Sequence, residues 1–79
     1  MNVQDTHLTR RYDRIKFEIQ TKHGGFIVSE ELYEGPRIVL SKELGIVYAS
    51  HHEAVRAIDS LIRLSKTSNP GKTIDKTIE

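Results

Sequence analysis

Residues Arg14 to Lys22, Arg-Ile-Lys-Phe-Glu-Ile-Gln-Thr-Lys, alternate between polar and apolar side chains. A period of two puts Ile15, Phe17 and Ile19 on one side of an extended chain. Arg14, Lys16, Glu18 and Gln20 fall on the other, the pattern of a strand buried on one face only. On a helix Phe17 would point away from the face shared by Ile15 and Ile19. This stretch therefore commits the chain to a sheet that needs cover.

The following residues supply a partner strand. Lys22-His23-Gly24-Gly25 reads as a hairpin turn, because glycines supply the positive φ such turns require. A second strand over 25–32 follows, with either Phe26 and Val28 or Ile27 and Ser29 facing inward. Glu34-Gly35-Pro36 breaks it, since Pro36 has no N–H for a ladder. Arg37 to Ser41 reads as a third strand. Lys42-Glu43-Leu44-Gly45 reads as a tight turn with Gly45 left-handed, and Ile46 to Ala49 as a fourth strand.

Ser50-His51-His52-Glu53 opens a helix. Ser50 can accept from the N–H of Glu53 while the Glu53 carboxylate reaches back, a capping box. Ala54, Val55, Ile58, Leu61, Ile62 and Ser65 then recur at helical spacing, with Arg56, Asp59 and Arg63 opposite, the last two placed to pair at i, i+4. After Lys66 the run Thr67-Ser68-Asn69-Pro70-Gly71 ends the pattern. The reading is a flexible arm over 1–11, a single ββββα domain over 12–66 and a mobile tail over 67–79. Ile74 and Ile78 in that tail are spaced so that a partner could order them. The fold class expected is α+β: a small antiparallel meander of three to four strands with one C-terminal amphipathic helix on one face.

The Ser-x-x-Glu-Ala-x-x-Ala-Ile-x-x-Leu stretch over 50–61, following short strands, resembles the helix opening of three kinds of small domain. These are the arm-binding domains of tyrosine recombinases, plant AP2-type domains and double-stranded-RNA-binding domains. The RNA-binding domains carry lysines where His51 and His52 stand here, and a first helix that residues 1–11 do not supply. A capping box followed by an amphipathic stripe produces such a likeness by itself, so it assigns no family.

Composition excludes several chemistries. The chain has 79 residues and no cysteine, so disulfides, thiolate metal sites and cysteine nucleophiles are absent. The longest apolar runs are three residues, far short of a membrane span, and the first eight residues do not read as a signal peptide. A cytoplasmic setting is expected. His51 and His52 invite a metal reading, but neighbours on a helix point about 100° apart, and a third ligand would have to come from His7 or His23. They read as exposed residues of the first helical turn, and no metal or cofactor is expected. Ser29, Ser41, Ser50 and Ser60 lack the surroundings of a nucleophile.

Two charged stretches remain. Glu30, Glu31 and Glu34 form an acidic corner that suits a solvated strand end, or a patch for a basic protein surface. Arg10, Arg11, Arg14, Lys16 and Lys22 form a basic stretch beside Tyr12 and Phe17, the ingredients of a single-strand nucleic-acid site, diluted by Asp13 and Glu18. The net charge is +1, so neither sign dominates. The reading that follows is a non-catalytic protein-binding module. Its expected surface is Arg14, Lys16, Glu18 and Gln20 with Glu30, Glu31 and Glu34. Its size class suits adaptors and inhibitors of the kind phages and plasmids direct at host systems such as defence complexes. Nucleic-acid binding through Arg10, Arg11, Arg14, Lys16 and Lys22 is the alternative, and a homodimer paired through an edge strand is a second.

Overall fold

The structure is a computed structural model and describes residues 12–78; the arm expected over 1–11 lies outside the described residues. The elements run β1 (Arg14–Lys22), β2 (Gly25–Glu34), β3 (Arg37–Tyr48), α1 (His51–Ser68) and β4 (Thr73–Thr77). They form a four-stranded, mostly antiparallel sheet in the order β3-β2-β1-β4 with one helix packed on it, a small α+β domain. β1 pairs antiparallel with β2, and β2 with β3, whereas β4 joins the free edge of β1 in parallel.

The turn between β1 and β2 is two residues long. Lys22 pairs with Gly25, and His23 and Gly24 both have positive φ (58° and 79°), as a type I′ turn requires. That register sets Ile15, Phe17 and Ile19 opposite Leu32, Glu30 and Val28 on one face. α1 covers this face, and Phe17, Ile19, Val28 and Ile58 are fully buried between the two layers. Of the two inward pairs left open for β2, Phe26 and Val28 face the helix. Ile27 and Ser29 are nonetheless buried, on the opposite face and apart from the core cluster.

Two sequence expectations give way here. Lys42 to Gly45 is not a turn: Arg37 to Tyr48 is one strand that pairs along nearly the whole of β2. Gly45 is left-handed (φ 77°) as expected, but the extra residues are absorbed as a bulge between the Ile27–Val47 and Ser29–Glu43 pairs. A second register shift follows between Leu32 and Tyr33. The fourth strand comes instead from the segment expected to be mobile, as Thr73–Thr77 lines up beside Arg14–Glu18.

The helix opens as its sequence demands. Ser50 is extended (φ −133°, ψ 153°), and its hydroxyl accepts from the N–H of Glu53 at 3.1 Å. Its exit is tied to the start of the sheet. Asn69 donates through its backbone N–H and its side-chain Nδ2 to the Ser65 carbonyl, and the Tyr12 hydroxyl donates to Asn69 Oδ1. Lys72 donates to the Tyr12 carbonyl at 2.7 Å, and the Thr73 N–H to that of Asp13 at 3.1 Å. These bonds deliver the chain into β4. Asp59, expected to pair with Arg63, bonds Lys76 of β4 at 2.9 Å. Among the described residues no helix is long and apolar enough to cross a membrane.

Candidate interaction surface

The face of the sheet that α1 leaves open is built by alternation. Arg14, Lys16, Glu18 and Gln20 of β1 lie opposite Tyr33, Glu31, Ser29 and Ile27 of β2. In parallel register with β4, Arg14, Lys16 and Glu18 stand beside Thr73, Asp75 and Thr77. Three strands thus place Lys16 between Glu31 and Asp75, because residues in direct register share a face.

The groups on this face hold one another. The Arg14 guanidinium lies 4.2 Å from the centre of the Tyr33 ring and 3.5 Å from the Asp75 carboxylate. The Tyr33 hydroxyl donates to Glu31 at 3.0 Å, which, with partial desolvation, raises the phenol above its usual pKa of 10.0 against the pull of Arg14. Gln20 donates to Glu18 at 3.2 Å. Lys16 sits in register between Glu31 and Asp75. At the hairpin end, Glu43 accepts from Lys22 at 2.6 Å and bonds His23 at 3.2 Å, and those two partners hold its carboxyl below the ordinary 4.5.

Of the residues singled out from sequence, the structure brings Arg14, Lys16, Glu18, Gln20 and Glu31 together. Glu30 lies on the helix side of the sheet, 3.6 Å from Lys42. Glu34 pairs with Arg37 at 2.7 Å across the β2–β3 turn. The three glutamates are therefore split between two faces rather than gathered in one corner, as period-two alternation dictates for Glu30 and Glu31. Arg10 and Arg11 lie outside the described residues, and Lys22 stands at the far end of the sheet from Arg14. Phe17 is core, so the stacking ring beside the basic residues is Tyr33.

Tyr33 and Asp75 are the face residues that sequence reasoning missed. Tyr33 shares the parity of Glu31 and would have been found by extending the second strand to Glu34. Asp75 carried no such signal. His51 is half-buried, its ring meeting Phe26 edge-on at 5.6 Å between centroids. Among the described residues no group of three or more His, Asp or Glu side chains is placed to hold a metal ion.

A second feature lies on the other side. Between β3 and α1 a hollow of about 440 Å³ is lined by Val28, Leu44, Ile46, Tyr48, Leu61 and Leu64, with Ala57 and Ser60 on the helix. No charged side chain lines it. No family model, curated protein or solved structure matches this chain.

Proposed function

We propose that this chain is a cytoplasmic, non-catalytic protein-binding module of adaptor or inhibitor type that docks through the helix-free face of its sheet. The observation that carries the reading is the alternation of sign across three strands, with Lys16 between Glu31 and Asp75 and the Arg14–Tyr33 stack beside them. Charges of both signs around an aromatic ring suit a protein surface of complementary pattern. A polyanion would be served better by cations without interleaved carboxylates.

The test is capture from a native lysate after nuclease digestion, followed by binding of the purified captured protein to charge-reversed variants. Lys16→Glu and Glu31→Lys are each expected to weaken that binding tenfold or more, about 1.4 kcal/mol. Glu53→Lys on the exposed side of α1 should leave it unchanged. Equal binding by all three variants overturns the reading. Retention of nucleic acid at low salt, abolished by nuclease and by Lys16→Glu, would replace it with the polyanion alternative.

A further inference from the structure

The Thr73 N–H donates to the Asp13 carbonyl at 3.1 Å, so Thr73 turns its main-chain groups toward β1. Along an extended strand these groups alternate in direction. Thr73, Asp75 and Thr77 therefore bond β1, while Ile74 and Lys76 aim their N–H and C=O away from it. β4 closes the sheet on this side, and among the described residues no further strand takes up those groups. The edge stays in register over its whole length, Thr73–Thr77, and contains no proline. The other edge, β3, is broken by two register shifts with Lys42 and Glu43 between them, devices that discourage pairing.

We propose, resting on the protein-binding reading above, that the outer edge of β4 takes up an extended segment of the partner protein as a fifth, antiparallel strand, with aliphatic and basic side chains in alternation. Main-chain bonds to Ile74 and Lys76 hold such a segment, and its alternate side chains meet different chemistry on the two faces. On the helix side, Lys76 bonds Asp59 of α1 at 2.9 Å, so its ammonium is drawn to the helix instead of guarding the edge. Val55 and Ile62, four residues before and three after Asp59, share its side of α1 and are half-buried. They form an aliphatic shelf above the edge. On the helix-free side the β4 row is Thr73, Asp75 and Thr77, whose one charge is a carboxylate 3.5 Å from Arg14. A basic residue of the added strand stands opposite it, at the distance of a cross-strand pair.

A second copy's β4 fits this edge poorly. Antiparallel pairing has to set outward-facing residues across from one another. With Ile74 across from Lys76, the two copies of Asp75 stand directly opposite each other. With Lys76 across from Lys76 the ammonium groups do so, and with Ile74 across from Ile74 the ladder shrinks to residues 73–75. Like charges in direct opposition destabilise a strand pair. The edge is therefore better matched by a different chain.

The test is amide hydrogen exchange and peptide binding on the full chain. In the free chain the amides of Ile74 and Lys76 should exchange fast and that of Asp75, bonded to β1, slowly. The probe is a short capped peptide of alternating valine and lysine, which should slow exchange at Ile74 and Lys76. Lys76→Pro removes an outward N–H without touching the β1 ladder, and should weaken the peptide about fivefold or more, the loss of one hydrogen bond. Lys76→Ala gives up the Asp59 pair but keeps the N–H, and should bind within about twofold of wild type. Asp75→Lys should reverse the charge preference, taking the glutamate counterpart of the peptide over the lysine one. Protection of Ile74 and Lys76 in the free chain overturns the proposal, because the chain itself or a second copy then fills the edge. Peptide binding that is absent at about 1 mM, or indifferent to Lys76→Pro, also overturns it. Glu31→Lys, across β1 from the edge, should leave the peptide unaffected. If it leaves the captured protein unaffected too while Lys76→Pro releases it, the face reading falls and the edge stands; the reverse result removes the edge alone.

Discussion

Ile74 of β4 stands directly beside Ile15 of β1 in parallel register, and Ile15 is only 2% exposed. The last strand is thus a wall of the core, packed against it through a half-buried isoleucine. Ile74→Ala is expected to lower the unfolding free energy by about 1–2 kcal/mol, below the range for fully buried sites. Ile78→Ala, 40% exposed and beyond the strand, should stay within about 0.5 kcal/mol. Urea denaturation of both variants checks the contrast; equal midpoints would mean that β4 adds nothing to the core.

Gly25 is required for a different reason from Gly24. A Cβ at position 25 would stand 2.6 Å from the Tyr48 carbonyl oxygen and 2.7 Å from Val47 Cγ1. The β2–β3 pairing sets that approach, and the backbone oxygen cannot swing away as a side-chain tip could. Gly25→Ala should therefore cost about 1–3 kcal/mol, in the range of overpacked sites. A thermal melt of this variant matching wild type would show that β3 yields at its end.

What could be read from sequence were features whose cause is local. The alternation of β1 and the Ser50 cap with its apolar stripe need only neighbouring residues. Lys42-Glu43-Leu44-Gly45 has the chemistry of a turn, and Gly45 is indeed left-handed. Whether such a residue reverses a strand or bulges it is decided by the ten residues of β2 available alongside. β4 was hidden for the same reason: Thr-Ile-Asp-Lys-Thr offers one apolar side chain, and its partner lies some sixty residues earlier at a free edge. The candidate face divides similarly. Its β1 half follows from parity, as does the placing of Glu30 away from Glu31, but the placing of Asp75 beside Lys16 needed the register.

Glu43 makes stability depend on acid. Its carboxyl is held below the usual 4.5, first by the Lys22 ammonium and then by His23. The folded chain therefore binds that proton less readily than the unfolded chain. The contribution is present above the ordinary carboxylate range and is lost as pH falls through the lowered folded value. Carboxyl NMR titration should give Glu43 a midpoint below that of an unpaired glutamate, and Lys22→Ala should return it toward 4.5. An unmoved midpoint in Lys22→Ala would show that the hairpin-end pair has no influence on it. The melting-temperature difference between wild type and Glu43→Gln should likewise shrink in acid.

Tyr33 makes the complementary prediction at high pH and reports on the helix-free face directly. Its hydroxyl donates to Glu31, so ionisation would leave a phenolate facing a carboxylate, and the phenol is held above 10.0 although Arg14 over the ring favours the anion. A folded value above the unfolded one means a contribution fully present below the unfolded pKa and lost as pH climbs through the folded one. The chain has three tyrosines, so absorbance at the phenolate band, compared with Tyr33→Phe, isolates this one. Glu31→Gln should bring its midpoint down toward the ordinary value, and Arg14→Ala should raise it further. A midpoint at the ordinary value in wild type, unmoved by either substitution, would mean that Arg14, Tyr33 and Glu31 stand together without electrostatic coupling, and the mixed-charge surface would lose its centre.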